Sequence, residues 1–249
     1  MKNINQQLVQ EKNKKFYEVT AAFYEEVDRR RSGEKSHQWL RDILKKIAEQ
    51  YQYKEKSIFL DAGSGTGFLA QKATDFFSQI IALDISPAML EKIKTPKIQS
   101  LCGSCENIPL DENSVDVVGA FAVLHHLYSP SAFFSEAYRV LKPGGILYTD
   151  HDIESHFIKN FSFPLNIYRY FFDHGPKYLA KCPDLSIEDY ELSEFHGNIG
   201  LNADFLKAEL YSLGFQSVSI EFHWQGLLPI SLPWERKGFS PLLRIFAIK

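Results

Sequence analysis

Residues 57–77, SIFLDAGSGTGFLAQKATDFF, constrain the fold of this chain more than any other stretch. Ile58, Phe59 and Leu60 form a short continuous apolar run, the pattern of a strand buried on both faces, and glycines then follow at 63, 65 and 67 before a helical pattern begins. A strand, a tight glycine loop and a helix in that order open a βα unit. Glycine lets the backbone turn sharply and approach a ligand, and the start of the following helix presents unpaired amides. The expectation is a nucleotide-like cofactor; the alternative is a glycine turn with no ligand.

The alternation continues downstream. Ile80 to Leu83 reads as the next buried strand, ending at Asp84, with Ser86 and Pro87 opening a helix at 88–93. Apolar runs at 98–102, 115–120 and 146–149 follow, with a helix over 131–141 stopped by Gly144 and Gly145. Upstream, Phe16, Val19, Phe23 and Val27 predict one amphipathic helix within 11–31, and Trp39, Leu40, Ile43, Leu44 and Ile47 a second over 36–50 with Ser36 as N-cap. From about 150 to 199 the pattern degrades into an aromatic-rich stretch, read as an irregular insertion. A helix at 203–212 and strands at 218–224 and 243–248 close the chain. The class is α/β, a Rossmann-like doubly wound, mostly parallel sheet with a helical and aromatic cap insertion.

A length of 249 residues suits one such domain, divided as N-terminal helices over 1–56, a cofactor core over 57–149, a cap over 150–200 and a C-terminal helix with strands over 201–249. Hydrophobic residues at 45% and charged residues at 24% fit a chain that folds throughout. A net charge of −3 leaves no excess of cations for a nucleic-acid backbone, and the run Arg29, Arg30, Arg31 sits behind Glu25, Glu26 and Asp28 as a solvated helix end. Three cysteines make no disulfide framework, the N-terminus lacks the apolar core of a signal peptide, and no run is long enough to span a membrane, so a cytoplasmic location is expected. The oligomeric state is not legible.

Two acids refine the ligand. A dinucleotide fingerprint wants G-x-G-x-x-G, whereas the third glycine position here is Phe68 and the spacing is G-x-G-x-G. Asp61, just before the loop, suits a ligand bearing a cationic amine better than a pyrophosphate. Asp84 ends the second strand, where a carboxylate can take both hydroxyls of a ribose; Ser86 is then the helix cap, leaving Asp84 free.

With these residues the sequence resembles the class I S-adenosylmethionine-dependent methyltransferases, and among them the small-molecule branch that includes the ubiquinone and menaquinone biosynthesis enzymes. The likeness runs over about 57–149, with a weaker tail to 249. It implies a seven-stranded sheet with an antiparallel last strand and S-adenosyl-L-methionine as cofactor. It further implies that Asp61, Gly63, Ser64, Gly65 and Gly67 hold the methionine part and that Asp84 and Ile85 hold the ribose. The stretch Gly103-Ser-Cys-Glu-Asn-Ile-Pro-Leu110 resembles the family's adenine-contacting segment, in which Ser104 replaces an acid and Cys105 supplies the next amide. Phe121 and Tyr24 complete the implied contacts.

Methyl transfer from a sulfonium needs an aligned acceptor and little water, with a base only where the acceptor must lose a proton. His125 and His126, after the fourth strand, are the candidate bases, with His151 beyond the fifth. Adjacent residues of a helix cannot both face one cavity, and the pair has no further ligands at metal-binding spacing, so no metal is expected. Cys102 and Cys105 have C-x-x-C spacing but follow a strand, and are read as coincidence. Phe157, Phe161, Phe163, Tyr168, Tyr170, Phe171 and Phe172 offer enough aromatic surface for a lid over a planar or hydrophobic acceptor, with packing of the insertion onto the sheet the expected role for most of them. Two other readings stand beside methyl transfer: a NAD(P)-dependent oxidoreductase on a similar fold, which Phe68 disfavours, and a non-catalytic S-adenosylmethionine-binding protein.

Overall fold

The computed structural model describes residues 4–27, 37–50, 56–172, 175–225 and 235–249. Ser36 and the Arg29 to Arg31 run lie outside the described residues, as do the side chains of Val27, Tyr168, Tyr170, Phe171 and Phe172.

Seven strands form one sheet in the order β3-β2-β1-β4-β5-β7-β6. They are β1 (Ile58–Ala62), β2 (Gln79–Asp84), β3 (Ile98–Cys102), β4 (Val115–Phe121), β5 (Leu141–Ile153), β6 (Ser217–His223) and β7 (Leu242–Ile248). The pairs from β3 through β5 are parallel, and β7 runs antiparallel between β5 and β6. Alternate residues of each central strand serve opposite cores, as the two-residue period of a strand requires. Leu60, Val118 and Leu147 face α6 (Pro130–Val140) and α11 (Ala203–Ser212). Phe59, Val117 and Ile146 face α3 (Gln38–Gln50) and α4 (Phe68–Ala73). Both faces being covered, β4 is buried from Val115 to Ala120, which is why it reads as a run without alternation.

Chain order reverses between β1 and β4, so the loops after these strands leave in opposite directions and open a crevice at their carboxyl ends. A third, smaller core lies over that crevice, where Phe16 of α1 (Gln6–Thr20) packs on Tyr178 and Cys182 at α9 (Gly175–Lys181).

Three readings of the sequence are corrected. The first helix is two pieces, α1 and α2 (Tyr24–Val27), rather than one helix from Glu11. Thr20 Oγ1 bonds back to the Phe16 carbonyl at 2.8 Å and the Phe23 amide reaches only to Thr20, a local alternative to the helical ladder that ends α1. The helix before β5 is stopped by Leu141, which is already extended, and not by the glycines; Pro143 bars helical backbone at the residue before it. Gly144 instead takes φ +76° and gives its amide to the Lys249 carbonyl, locking β5 to the end of β7. The stretch after β5 is regular: α7 (Ser155–Asn160), α8 (Ser162–Phe172), α9 and α10 (Ile187–Ser193). No helix among the described residues is long and apolar enough to cross a membrane.

Candidate functional site

The glycine loop is pinned to the neighbouring strand. The Gly63 and Ser64 amides both donate to the Leu83 carbonyl, at 2.8 and 2.9 Å, and the Gly65 amide donates to Asp84 Oδ2 at 2.8 Å. Gly63, Gly65 and Gly67 all have positive φ, and Gly67 starts α4 from the left-handed region. At Gly63 (φ +69°) a Cβ would stand 2.7 Å from both methyls of Val123, so the loop can lie against the turn after β4 only with glycine there.

A narrow cleft of about 80 Å³ opens beside this loop. Of the residues expected to hold a cofactor, Gly63, Gly65, Asp84, Ile85, Ser104, Cys105, Phe121 and Tyr24 line it. Asp61, Ser64 and Gly67 do not. Asp61 is buried, with Oδ2 accepting the Ala70 amide of α4 at 2.8 Å, so its carboxylate steadies the start of the helix. Ser64 Oγ is buried and has no hydrogen-bond partner among the described residues.

Asp84 is not free, contrary to the sequence reading. Ser86 does cap α5 (Pro87–Leu90), but Asp84 Oδ1 also accepts the Ser86 amide at 2.8 Å while Oδ2 holds Gly65. The carboxylate therefore joins the loop to the end of β2 and the start of α5. Ser104 is likewise engaged, since its Oγ accepts from Gln10 Nε2 at 3.1 Å and from the Glu106 amide at 3.1 Å. Gln10 Nε2 also donates to Glu106 Oε2 at 2.7 Å, so α1 reaches across to the segment after β3. Cys102 is exposed and Cys105 is buried; burial, with Asp84, Glu106 and Asp61 near it, pushes the Cys105 thiol well up. A thiol held protonated is a poor nucleophile, against a redox pair.

The roof of the cleft comes from α1, whose Gln10, Asn13 and Tyr17 line it at helical spacing together with Val9. Gln10 and Asn13 were missed in the sequence because a polar stripe carries no hydrophobic signal; its only trace is the i, i+3, i+7 spacing that ends at Tyr17. Asp189 of α10 fastens this helix, fully buried and accepting from Lys12 Nζ at 2.6 Å and Lys15 Nζ at 2.8 Å. Burial would raise its pKa, but the hydrogen bonds from Lys12, Lys15 and Ser186 outweigh that and hold the carboxyl well below the usual range.

Of the candidate histidines only His126 lines the cleft. Its Nε2 lies 3.0 Å from the Tyr17 hydroxyl and its Nδ1 2.6 Å from the Ser193 carbonyl, and burial, helped by His125, lowers its pKa to about 4, so it is neutral at pH 7. The two adjacent rings lie together, with centroids 3.9 Å apart, on the 3-10 turn Leu124–His126 rather than on an α-helix. Glu194, at the end of α10, comes within 3.8 Å of both, supplying the third donor the sequence reading lacked. His151 is turned away into a buried cluster, its Nδ1 2.9 Å from Asp150 Oδ1 and its ring between Phe121 and Trp39. Asp150 also meets Tyr148, His223 and Arg244. Burial lowers the His151 pKa despite that carboxylate.

Among the described residues, the rings after β5 pack or point outward rather than roofing the cleft. Phe157 and Phe161 pack on each other, with Trp224 and Phe239 beside them, and Phe163 is 76% exposed; none of the three lines the cleft. Tyr17 and Tyr24 line it instead, with Tyr178 stacked on Tyr24.

Residues 60–149 match the methyltransferase domain model of one protein family. The chain is 29% identical to a demethylmenaquinone methyltransferase of Chlorobaculum tepidum over 192 residues, 72% of this chain and 78% of that one. It is 36% identical to a malonyl-[acyl-carrier protein] O-methyltransferase of Yersinia pestis over 92 residues, 36% of this chain and 34% of the other. Similarity to two mycobacterial methyltransferases covers only 35% and 37% of their length. An S-adenosylmethionine-dependent methyltransferase of Thermotoga maritima shares the fold, with a TM-score of 0.60 over 94% of this chain and 99% of that one at 18% identity. The crevice at the β1/β4 reversal, the pinned glycine loop and the matched span together make residues 60–149 a methyltransferase domain of the class I, S-adenosylmethionine-dependent kind.

Proposed function

We propose that this chain transfers the methyl group of S-adenosylmethionine to a small-molecule acceptor with planar or hydrophobic character. One observation carries this reading: the cleft joins a backbone loop, the Asp84 carboxylate and Glu106 to an aromatic roof, and no Lys or Arg is among the described residues lining it. Such a wall suits a nucleoside bearing a sulfonium and an amine, and offers no side-chain cation to the phosphates of a dinucleotide. Bound there, the cofactor supplies an electrophilic methyl group.

The chain's own residues do the rest. Gly63 and Gly65 present backbone to the aminoacyl end, Asp84 accepts from the ribose hydroxyls, and the segment from Ser104 to Glu106 faces the base. Tyr17, Tyr24 and Phe121 exclude water and give a flat acceptor a surface to lie on. An acceptor that must lose a proton does so at the wall formed by His126 and Tyr17.

A net charge of −3 favours a small acceptor over a nucleic acid, and three free cysteines fit the cytoplasm. The demethylmenaquinone relative suits a ring-bearing acceptor. Calorimetry and thermal melting test the reading: S-adenosylmethionine and S-adenosylhomocysteine are expected to bind and raise Tm, and nicotinamide dinucleotides to do neither. A Tm shift with NAD alone would overturn it in favour of an oxidoreductase. Binding without turnover across quinols, phenols and acyl-chain acids would leave a non-catalytic binder.

A further inference from the structure

Donor groups from two distant chain segments meet beside the cleft. His125 Nδ1 lies 2.7 Å from Oδ1 of Asp152, a fully buried carboxylate, and with that proton given to Asp152 the lone pair of the ring is on Nε2, 3.8 Å from Glu194 Oε2. His126 is arranged in the same sense. When its Nε2–H donates to the Tyr17 hydroxyl oxygen, 3.0 Å away, the lone pair is on Nδ1, 3.8 Å from Glu194 Oε1. One donor atom from each of the three residues lies within 4.8 Å of the others.

A separation of 3.8 Å is too long for a hydrogen bond, yet it is what two ligands of one ion span. Bonds of roughly 2.0–2.1 Å place their donors about 3.4 Å apart at a tetrahedral angle and about 4.2 Å apart when opposed. We propose that His125, His126 and Glu194 form a binding site for one divalent transition-metal ion of the zinc class.

Two imidazoles and a carboxylate are a ligand set that holds zinc and leaves a further position for water or an acceptor oxygen, and nitrogen donors select against magnesium and calcium. Asp152 and the Tyr17 hydroxyl stand where outer partners of ligating histidines stand, each accepting a hydrogen bond from the other ring nitrogen. Without an ion, His126 Nδ1–H donates to the Ser193 carbonyl, 2.6 Å away; coordination moves that proton to Nε2 and turns the carbonyl oxygen aside from Nδ1. The other histidine cluster, Asp150 with His151 and His223, has no place for an ion, since Arg244 Nε lies 2.6 Å from Asp150 and already supplies the cation.

This goes beyond methyl transfer, and its test does not depend on it. The full chain, stripped with a chelator, is titrated with Co²⁺ and followed by the visible absorption of the bound ion, with Zn²⁺ stoichiometry measured by atomic emission after gel filtration. One ion per chain is expected. Glu194→Gln should lower the affinity at least about tenfold, and Asp152→Asn about 10-fold to 100-fold, with unchanged circular dichroism. Glu194 is part-exposed, so its variant is expected to fold and decides the matter if Asp152→Asn does not fold. Substoichiometric binding, or equal affinity in folded Glu194→Gln, would overturn the site.

Discussion

The floor of the cleft is set by backbone and its roof by side chains. On the floor, amides of Gly63, Ser64 and Gly65 bind the end of β2, and the glycine φ angles leave no room for another residue. In the roof, α1 is held by Lys12 and Lys15 on Asp189, by Gln10 on Ser104 and Glu106, and by Tyr17 on His126. The floor is packed between two cores, whereas the roof rests on a small cluster around Phe16. A floor of this kind is preformed. A roof of this kind can part from it by breaking polar contacts, without unpacking the sheet, and it must do so if ligands enter from that side.

The largest expected effect breaks the floor. Gly63→Ala adds a Cβ against Val123 in a left-handed backbone, and strain with overpacking should destabilise the fold by about 3 kcal/mol in denaturant unfolding. A loss under about 1 kcal/mol would mean that the loop is not held as described. Asp84→Ala should come next, weakening S-adenosylhomocysteine by about 1–3 kcal/mol through lost ligand and loop contacts. Unchanged affinity by calorimetry would remove its proposed role.

In the roof the effect should be smaller and local. Asp189→Asn is expected to remove about 1–2 kcal/mol from the attachment of α1, read as faster limited proteolysis within residues 6–20 while the sheet keeps its midpoint. Loss of the whole transition would show that roof and floor fold as one unit. The least perturbing test is pH. The folded pKa of Asp189 lies below its unfolded value, so its contribution is full above about pH 4 and is lost as pH falls through the folded pKa. Hydrogen exchange in α1 should therefore be insensitive to this group from neutral pH down to about 4 and rise below it, after correction for the intrinsic rate.

The same contrast explains what could be read in advance. The order of strands and helices over 57–149, the glycine loop and the acid at Asp84 are local signals, since a two-residue period, a turn and a strand end each lie within a few positions. Ser186 and Asp189 form a capping box that sequence can show, but not that two lysines 174 and 177 residues earlier use the same carboxylate. The composition of the aromatic stretch after β5 allows either a lid or plain packing; the fold turns Phe157 and Phe161 toward Trp224 and Phe239.

By itself the sequence determined an α/β chain with a ligand loop after its first strand, because backbone conformations open only to glycine and runs buried on both faces are written residue by residue. Tertiary structure alone decided that Asp61 serves a helix, that Asp84 ties the glycine loop to Ser86, that His151 is held on Asp150 away from the cleft, and that Glu194 comes up to both His125 and His126. Those outcomes depend on which distant groups meet, and a carboxylate or imidazole carries no local mark of the partner that folding brings to it.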